Sequence, residues 1–177
     1  MKRKKLTASM IALVMSVSLP MTTYAANWYL EDGSVTVNAD NSGQTVTQGS
    51  TSTPDEAPVI TQRESSVETG NTIAISTSDN AAANVTIKDI NIKSSKDAID
   101  VKGSSSANIT LEGDNKIFSE TGSALHVSDG NVTINGSGSL KAEIQDEPFG
   151  YNHNAKIGSH ENESRSWICL APVTASL

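Results

Sequence analysis

The 177-residue chain predicts an all-β solenoid, a stack of short coils, and three observations carry that expectation. One phrase returns at nearly fixed spacing: Asn84-Val85-Thr86-Ile87, Asn108-Ile109-Thr110-Leu111 and Asn131-Val132-Thr133-Ile134, 24 and then 23 residues apart. A constant period in this range marks repeats that cannot bury an apolar face alone and must stack on their neighbours. Within each phrase apolar and polar residues alternate at two, the period of a half-buried strand, and they do not sustain the spacing of three or four that a helix needs. The composition agrees, because Thr, Ser, Asn, Val and Ile abound and only seven residues are aromatic (two Trp, three Tyr, two Phe).

Taken in order, the chain opens with Lys2, Arg3, Lys4 and Lys5, an apolar run from Met10 to Met21, and Thr23-Tyr24-Ala25. That is the pattern of a secretory signal peptide, with cleavage expected after Ala25 and the bond after Ala26 as the alternative. A membrane anchor is the weaker reading, since the apolar core is shorter than the ~20 residues a spanning helix needs. Residues 26–83 read as a cap and first rungs. Trp28-Tyr29-Leu30 is a strand, Asp32-Gly33 a turn, Ser34 to Val37 and Thr45 to Thr47 further strands, and Gly49 to Pro58 a surface loop. Val59-Ile60-Thr61 and Asn71 to Ile75 resume strand character, with Asn71 in the place that Asn84 takes in the next phrase, but the interval of 13 residues is irregular and leaves open whether Ile73 and Ile75 share a sheet with Val85 and Ile87.

Residues 84–158 are the regular coils, about 23–24 residues each, with three short strands per coil. The first has Val85 and Ile87, then Ile90 and Ile92, then Ala98 to Val101. The second echoes it with Ile109 and Leu111, then Ile117, then Ala124 to Val127. The third has Val132 and Ile134, then Leu140 and Ala142, and after an insertion Ala155 to Gly158. Each coil adds ~4.8 Å of height at normal strand spacing, and inward aliphatic side chains contribute ~1.5–3 kcal/mol apiece when fully buried. Residues 159–177 abandon the pattern, with Ser166 to Leu170 as a strand-like run able to cap the stack.

Charge narrows the partners. Residues 1–25 hold four of the 13 Lys and Arg and none of the 20 Asp and Glu, so the remainder is net −11 (9 − 20). An acidic chain without a basic cluster argues against nucleic acid and anionic lipid, which demand Lys and Arg on one face. The single Cys169 permits no internal disulfide. No segment after the leader is apolar and long enough to span a bilayer.

Several residues invite a chemical role. Asn84, Asn108 and Asn131 each open an Asn-x-Thr acceptor sequence, but a structural ladder is the better reading: Asn at a corner tolerates left-handed backbone, and stacked amides hydrogen-bond up the column. Asp97, Asp100, Glu112, Asp114 and Asp129 form either a solvated acidic face or, with calcium as the one cofactor worth considering, a set of oxygen ligands. The sharpest feature is the insertion from Glu143 to Asn154. It gathers Glu143, Asp146, Glu147, Phe149, Tyr151 and His153 with Asn152 and Asn154, and a flat ring beside carboxylate and amide groups suits a sugar, whose C–H face stacks while its hydroxyls meet polar groups. No catalytic residues are assigned: His126 lies outward on a strand without a partnering Ser or Cys, and carboxylate spacing cannot be read from sequence.

Trp28 with Asp32 to Val37, Ala57-Pro58-Val59-Ile60-Thr61, Asn71-Thr72-Ile73 and Ala83 to Ile92 together resemble a group of exported β-solenoid proteins of Gram-positive gut bacteria, often labelled carbohydrate-binding domain proteins. The resemblance covers residues 28–158. It implies a right-handed parallel β-helix similar to the pectate-lyase scaffold, with Leu111 to Asn115 in one coil and Ala155 to Gly158 resembling a glycine-rich corner. The chain departs there, with Asn154 and Lys156 where glycines are usual. The function implied is a secreted or cell-surface carbohydrate-binding or adhesive module, non-catalytic, whose partner is a polysaccharide or glycan. The alternatives are a structural spacer or shortened product without a ligand, and a polysaccharide lyase or hydrolase.

Overall fold

The computed structural model describes residues 25–78 and 80–145 in full and the backbone of Ile157–Ser159. It is a parallel β-solenoid of about three turns. Apart from the 3-10 turn Leu30–Asp32, its regular elements are strands. In chain order these are β1 (Asn27–Tyr29), β2 (Val35–Asp40), β3 (Gly43–Gln48), β4 (Thr51–Pro54), β5 (Val59–Thr61), β6 (Ile73–Thr77), β7 (Ala83–Lys88) and β8 (Asn91–Ser94). They continue as β9 (Ile99–Gly103), β10 (Ser106–Glu112), β11 (Asp114–Ser119), β12 (Leu125–Ser128), β13 (Asn131–Gly136), β14 (Ser139–Ile144) and β15 (Ile157–Ser159). Among the described residues no helix is long and apolar enough to cross a membrane.

Three sheets form the walls. The first has the order β1-β5-β7-β10-β13, the second β14-β11-β8, and the third β15-β12-β9-β6-β2-β3-β4. All pairings are parallel except β2 with β3 and β3 with β4, a meander that turns back on the amino-terminal edge. Each full turn visits the three sheets once, as β7-β8-β9, β10-β11-β12 and β13-β14-β15 do. Every second residue points inward, so register builds columns. Ile60, Ile87 and Leu111 stack in the first sheet, Ile92 on Ile117 in the second, and Val35, Ile73, Ile99 and Leu125 in the third. All of these side chains are buried.

The strand pairing changes four readings. Asn84 pairs with Asn108, and the Asn108 Nδ2 donates to Asn84 Oδ1 at 3.0 Å, but the next residue in that column is Thr133; Asn131 lies opposite Ser106. The true step from β10 to β13 is thus 25 residues, and the third phrase is displaced by two. A shift of two leaves the inward set on the inward side, so Val132 still stacks on Ala107 and Ile134 on Ile109. The asparagines also lie within strands rather than at left-handed corners. Positive φ falls at Asn80, Asp89 and Asp129 and at glycines, among them Gly113 (φ 63°) one coil above Asp89 (φ 49°). Finally, β6 belongs to the sheet of β2 and β9, so Asn71 is not the counterpart of Asn84, and β4 replaces part of the expected loop from Gly49 to Pro58.

Polar residues close the amino-terminal edge. β5 reaches only Thr86 to Lys88 of β7, leaving Asn84 without a strand on that side. The buried Gln44 fills the place: its Oε1 accepts from Asn84 N at 2.8 Å, and its Nε2 donates to the carbonyls of Asn84 (3.1 Å) and Asp55 (2.8 Å). A side-chain amide here does what a strand's peptide would do. Gln62 serves β8 likewise, accepting from Asn91 N while donating to Val67 O. At the other end Val132, Ile134, Leu140, Ala142 and Ile144 remain half-buried.

Inside the stack, Asn115 occupies an inward position between Ile90 and Leu140. Its Oδ1 accepts from Ile90 N at 3.3 Å and its Nδ2 donates to Glu112 O and Ser139 O, both at 3.0 Å. Removing this buried group takes a hydrogen bond from backbone atoms in three coils, although Glu112 O still accepts from Asp89 N at 3.3 Å. Asn115→Ala should therefore destabilise by about 2–3 kcal/mol, whereas Asn108→Ala, which breaks one exposed bond, should cost about 1 kcal/mol or less. Denaturant unfolding of both variants checks the ranking, and equal losses would refute it.

Candidate functional site

Two outward faces carry side-chain chemistry. On the three-stranded sheet, register aligns Lys93, Phe118 and Glu143 in one column and Asn91, Lys116 and Lys141 in the neighbouring one. Phe118 alternates with the buried Ile117 and Ser119, so its half-exposed ring stands on the outer surface. The Lys93 ammonium lies 5.7 Å from the ring centroid and 3.8 Å from the Glu68 carboxylate. Glu143 pairs with Lys141 at 2.9 Å. The ring is thereby flanked along the ladder by a cation on one side and a carboxylate on the other. Of the residues expected in the glycan-contacting loop, Glu143 alone is described, on β14; Asp146, Glu147, Phe149, Tyr151 and His153 lie outside the described residues.

The second face lies where the second sheet hands over to the third. Asp100 on β9 and His126 on β12 are direct register partners, and Asp97 sits on the turn before β9. His126 Nδ1 is 2.9 Å from Asp100 Oδ1 and 3.7 Å from Asp97 Oδ2. Because an ionised carboxylate only accepts, Nδ1 carries the proton and donates it to Asp100. Asp97 is fixed by its backbone surroundings: Ser123 N donates to its Oδ1 at 2.6 Å. The turn before β12 can approach so closely because residue 122 is glycine; a Cβ there would stand 2.5 Å from Asp97 Oδ1. Lys102 Nζ completes the cluster at 3.2 Å from Asp100 Oδ2.

Asp97, Asp100 and His126 offer one ligand atom each within 4.8 Å of one another. A set of two oxygens and one imidazole nitrogen on an open face is a poor match to calcium, which takes six to eight oxygens. The remaining expected ligands do not converge on it. Glu112 pairs with Lys88 at 3.3 Å, and Asp114 Oδ1 accepts from Ser139 Oγ at 2.9 Å, both at the corner between the first and second sheets. Arg63 is engaged at the amino-terminal end: its two terminal nitrogens donate to Asp32 at 2.9 and 2.7 Å, and its guanidinium stacks 4.1 Å from the Tyr29 centroid.

No family model, curated protein or solved structure matches the chain. What the two faces can do follows from their chemistry. The Phe118 column offers an apolar plane with charged hydrogen-bonding groups on either side. The His126 cluster offers fixed acceptors and one ring proton already committed to Asp100. Sequence reading passed over Phe118, although alternation from Ile117 marks it as outward. It likewise left His126 without a partner, because Asp100 lies 26 residues earlier and only the third sheet's register joins them.

Partial burial works to raise the Asp100 carboxyl, but hydrogen bonds from His126 and Lys102 outweigh it, so the group titrates below its ordinary value. A depressed carboxylate stabilises the fold above its unfolded pKa of about 3.9, and that contribution is lost as pH falls through the lower folded value. The parent should consequently lose thermal stability more steeply than Asp100→Asn below about pH 4, while exceeding it at pH 6. Melting curves at pH 3 and pH 6 check this; parallel acid limbs would contradict it.

Proposed function

We propose that this protein is a secreted or cell-surface module that binds polysaccharide without chemically altering it, using the outer face of the three-stranded sheet. The observation that carries the reading is the exposed Phe118 ring held in register between Lys93 and Glu143. Parallel strands repeat every ~4.8 Å, so the groups beside the ring are spaced to reach hydroxyls around a single pyranose stacked on it. The backbone that carries the ring is paired in a ladder on both sides, and a preorganised backbone loses little entropy on association. Asp146, Glu147, Phe149, Tyr151 and His153 follow β14 closely in the sequence, which supports keeping them as candidate contacts. The signal-peptide pattern from Lys2 to Ala25 supports the exported part of this reading.

A second reading, a structural spacer, draws on the half-buried Val132, Ile134, Leu140, Ala142 and Ile144 of the last coil. An apolar layer of that kind suits an element stacked between others. The readings separate on a glycan array probed with the exported protein, with and without calcium. Binding to at least one plant, host or bacterial glycan is expected. Phe118→Ala should weaken it about tenfold or more, the loss of one aromatic stacking contact, while thermal unfolding changes little because the ring is outside the core. No binding to any glycan would favour the spacer, and unsaturated or shortened products from polygalacturonate would establish an enzyme instead.

A further inference from the structure

Asp55 is a carboxylate only 4% exposed, and the groups that hold it are neutral. Its Oδ2 accepts from Trp28 Nε1 at 2.9 Å and from Ala26 N at 3.2 Å, and its Oδ1 accepts from Ala57 N at 3.2 Å. Among the described residues no cationic side chain forms an ion pair with it. A buried carboxylate supported by neutral donors alone carries a desolvation cost that a cation would offset. The donor at Ala26 is the one that can become a cation, because the signal-peptide pattern places the scissile bond immediately before it.

We propose that Ala25–Ala26 is the processing bond and that Asp55 is the receptor for the amino terminus released there. The inference rests on the export reading and is independent of glycan binding. Hydrolysis by a signal peptidase adds water across the Ala25–Ala26 peptide bond. Ala25 departs with a carboxylate, and the new Ala26 amine takes up a proton at neutral pH. An amide with one N–H thereby becomes an ammonium with three, already at hydrogen-bond distance from Asp55 Oδ2. Charge-assisted bonds of this kind are about twice as strong as neutral ones. The bond after Ala26 is the wrong one on the same geometry. Cutting there removes both the Ala26 N–H to Asp55 and the Ala26 carbonyl that accepts from Val59 N at 2.9 Å, two contacts at the start of the first sheet that the pairing of β1 with β5 does not replace. Processing then does more than remove the leader: it completes the capped end of the solenoid, and the leader-bearing chain is the less stable form.

The full chain is exported from a bacterial host and its amino terminus is read by mass spectrometry. Ala26 is expected, and an exported product beginning at Asn27 overturns the proposal. The same product is then acetylated selectively at its α-amine, which restores a neutral amide at Ala26. The acetylated protein should melt about 3 °C or more below the free one, and the two forms should melt together in Asp55→Asn. Equal melting of the free and acetylated parent overturns the proposal. Should Asp55→Asn fail to fold, the rate of α-amine acetylation decides: it should be slower in the native parent than in the urea-unfolded chain, and equal rates count against the ion pair. A chain that is not exported at all sinks the export reading itself, an outcome distinct from export with the wrong terminus.

Discussion

Each coil of this protein depends on its neighbours for both its backbone hydrogen bonds and the cover of its apolar side chains. A parallel strand satisfies nothing within its own turn, so β10 finds its backbone partners in the coils on either side, on β7 and β13. The same register lays Val35, Ile73, Ile99 and Leu125 in one continuous column. Stacking register is therefore the constraint from which core, corners and surface faces all follow. Where it is interrupted, polar side chains stand in for peptides. Gln44 completes the edge of β7, Gln62 that of β8, and Asn115 ties three coils together from inside.

This dependence explains what could be read from the chain and what could not. Alternation at two is local, so β10, β11 and β12 were legible as strands, and the buried set Ile109, Leu111, Ile117 and Leu125 with them. Register is not local. Aligning copies of the Asn-aliphatic-Thr-aliphatic phrase puts Asn131 over Asn108, yet the ladder puts Thr133 there. Both alignments bury the same residues, which leaves hydrophobic pattern with no power to choose between them. β4 escaped notice for a different reason. Thr51, Ser52, Thr53 and Pro54 are all exposed, so no alternation marks them, and pairing with β3 alone makes them a strand.

The faces obey the same logic. Neither the Lys93–Phe118–Glu143 column nor the Asp100–His126 pair is contiguous in sequence; each is assembled by a step of 25 or 26 residues between coils. The expected contact from Glu143 to Asn154 rests on aromatic and acidic residues that are neighbours in the chain, although Glu143 itself lies on β14, whereas a solenoid gathers its surface groups across the chain. Rigid stacking also sets what such a surface can offer: groups fixed at strand spacing, suited to a ligand that is itself a repeating polymer.

Register can be measured directly by cross-linking. In a Cys169→Ser background, cysteines replace Asn108 and Thr133 in one variant and Asn108 and Asn131 in another. In-register neighbours on parallel strands lie ~4.8 Å apart, within the ~4.4–6.8 Å that a disulfide spans between Cα atoms, whereas an offset of two residues lengthens the gap to about 8 Å. On mild oxidation the first pair should close a disulfide readily and the second should stay reduced. Efficient closure of the 108–131 pair with an open 108–133 pair would contradict the register on which this account of the core and both surface faces stands.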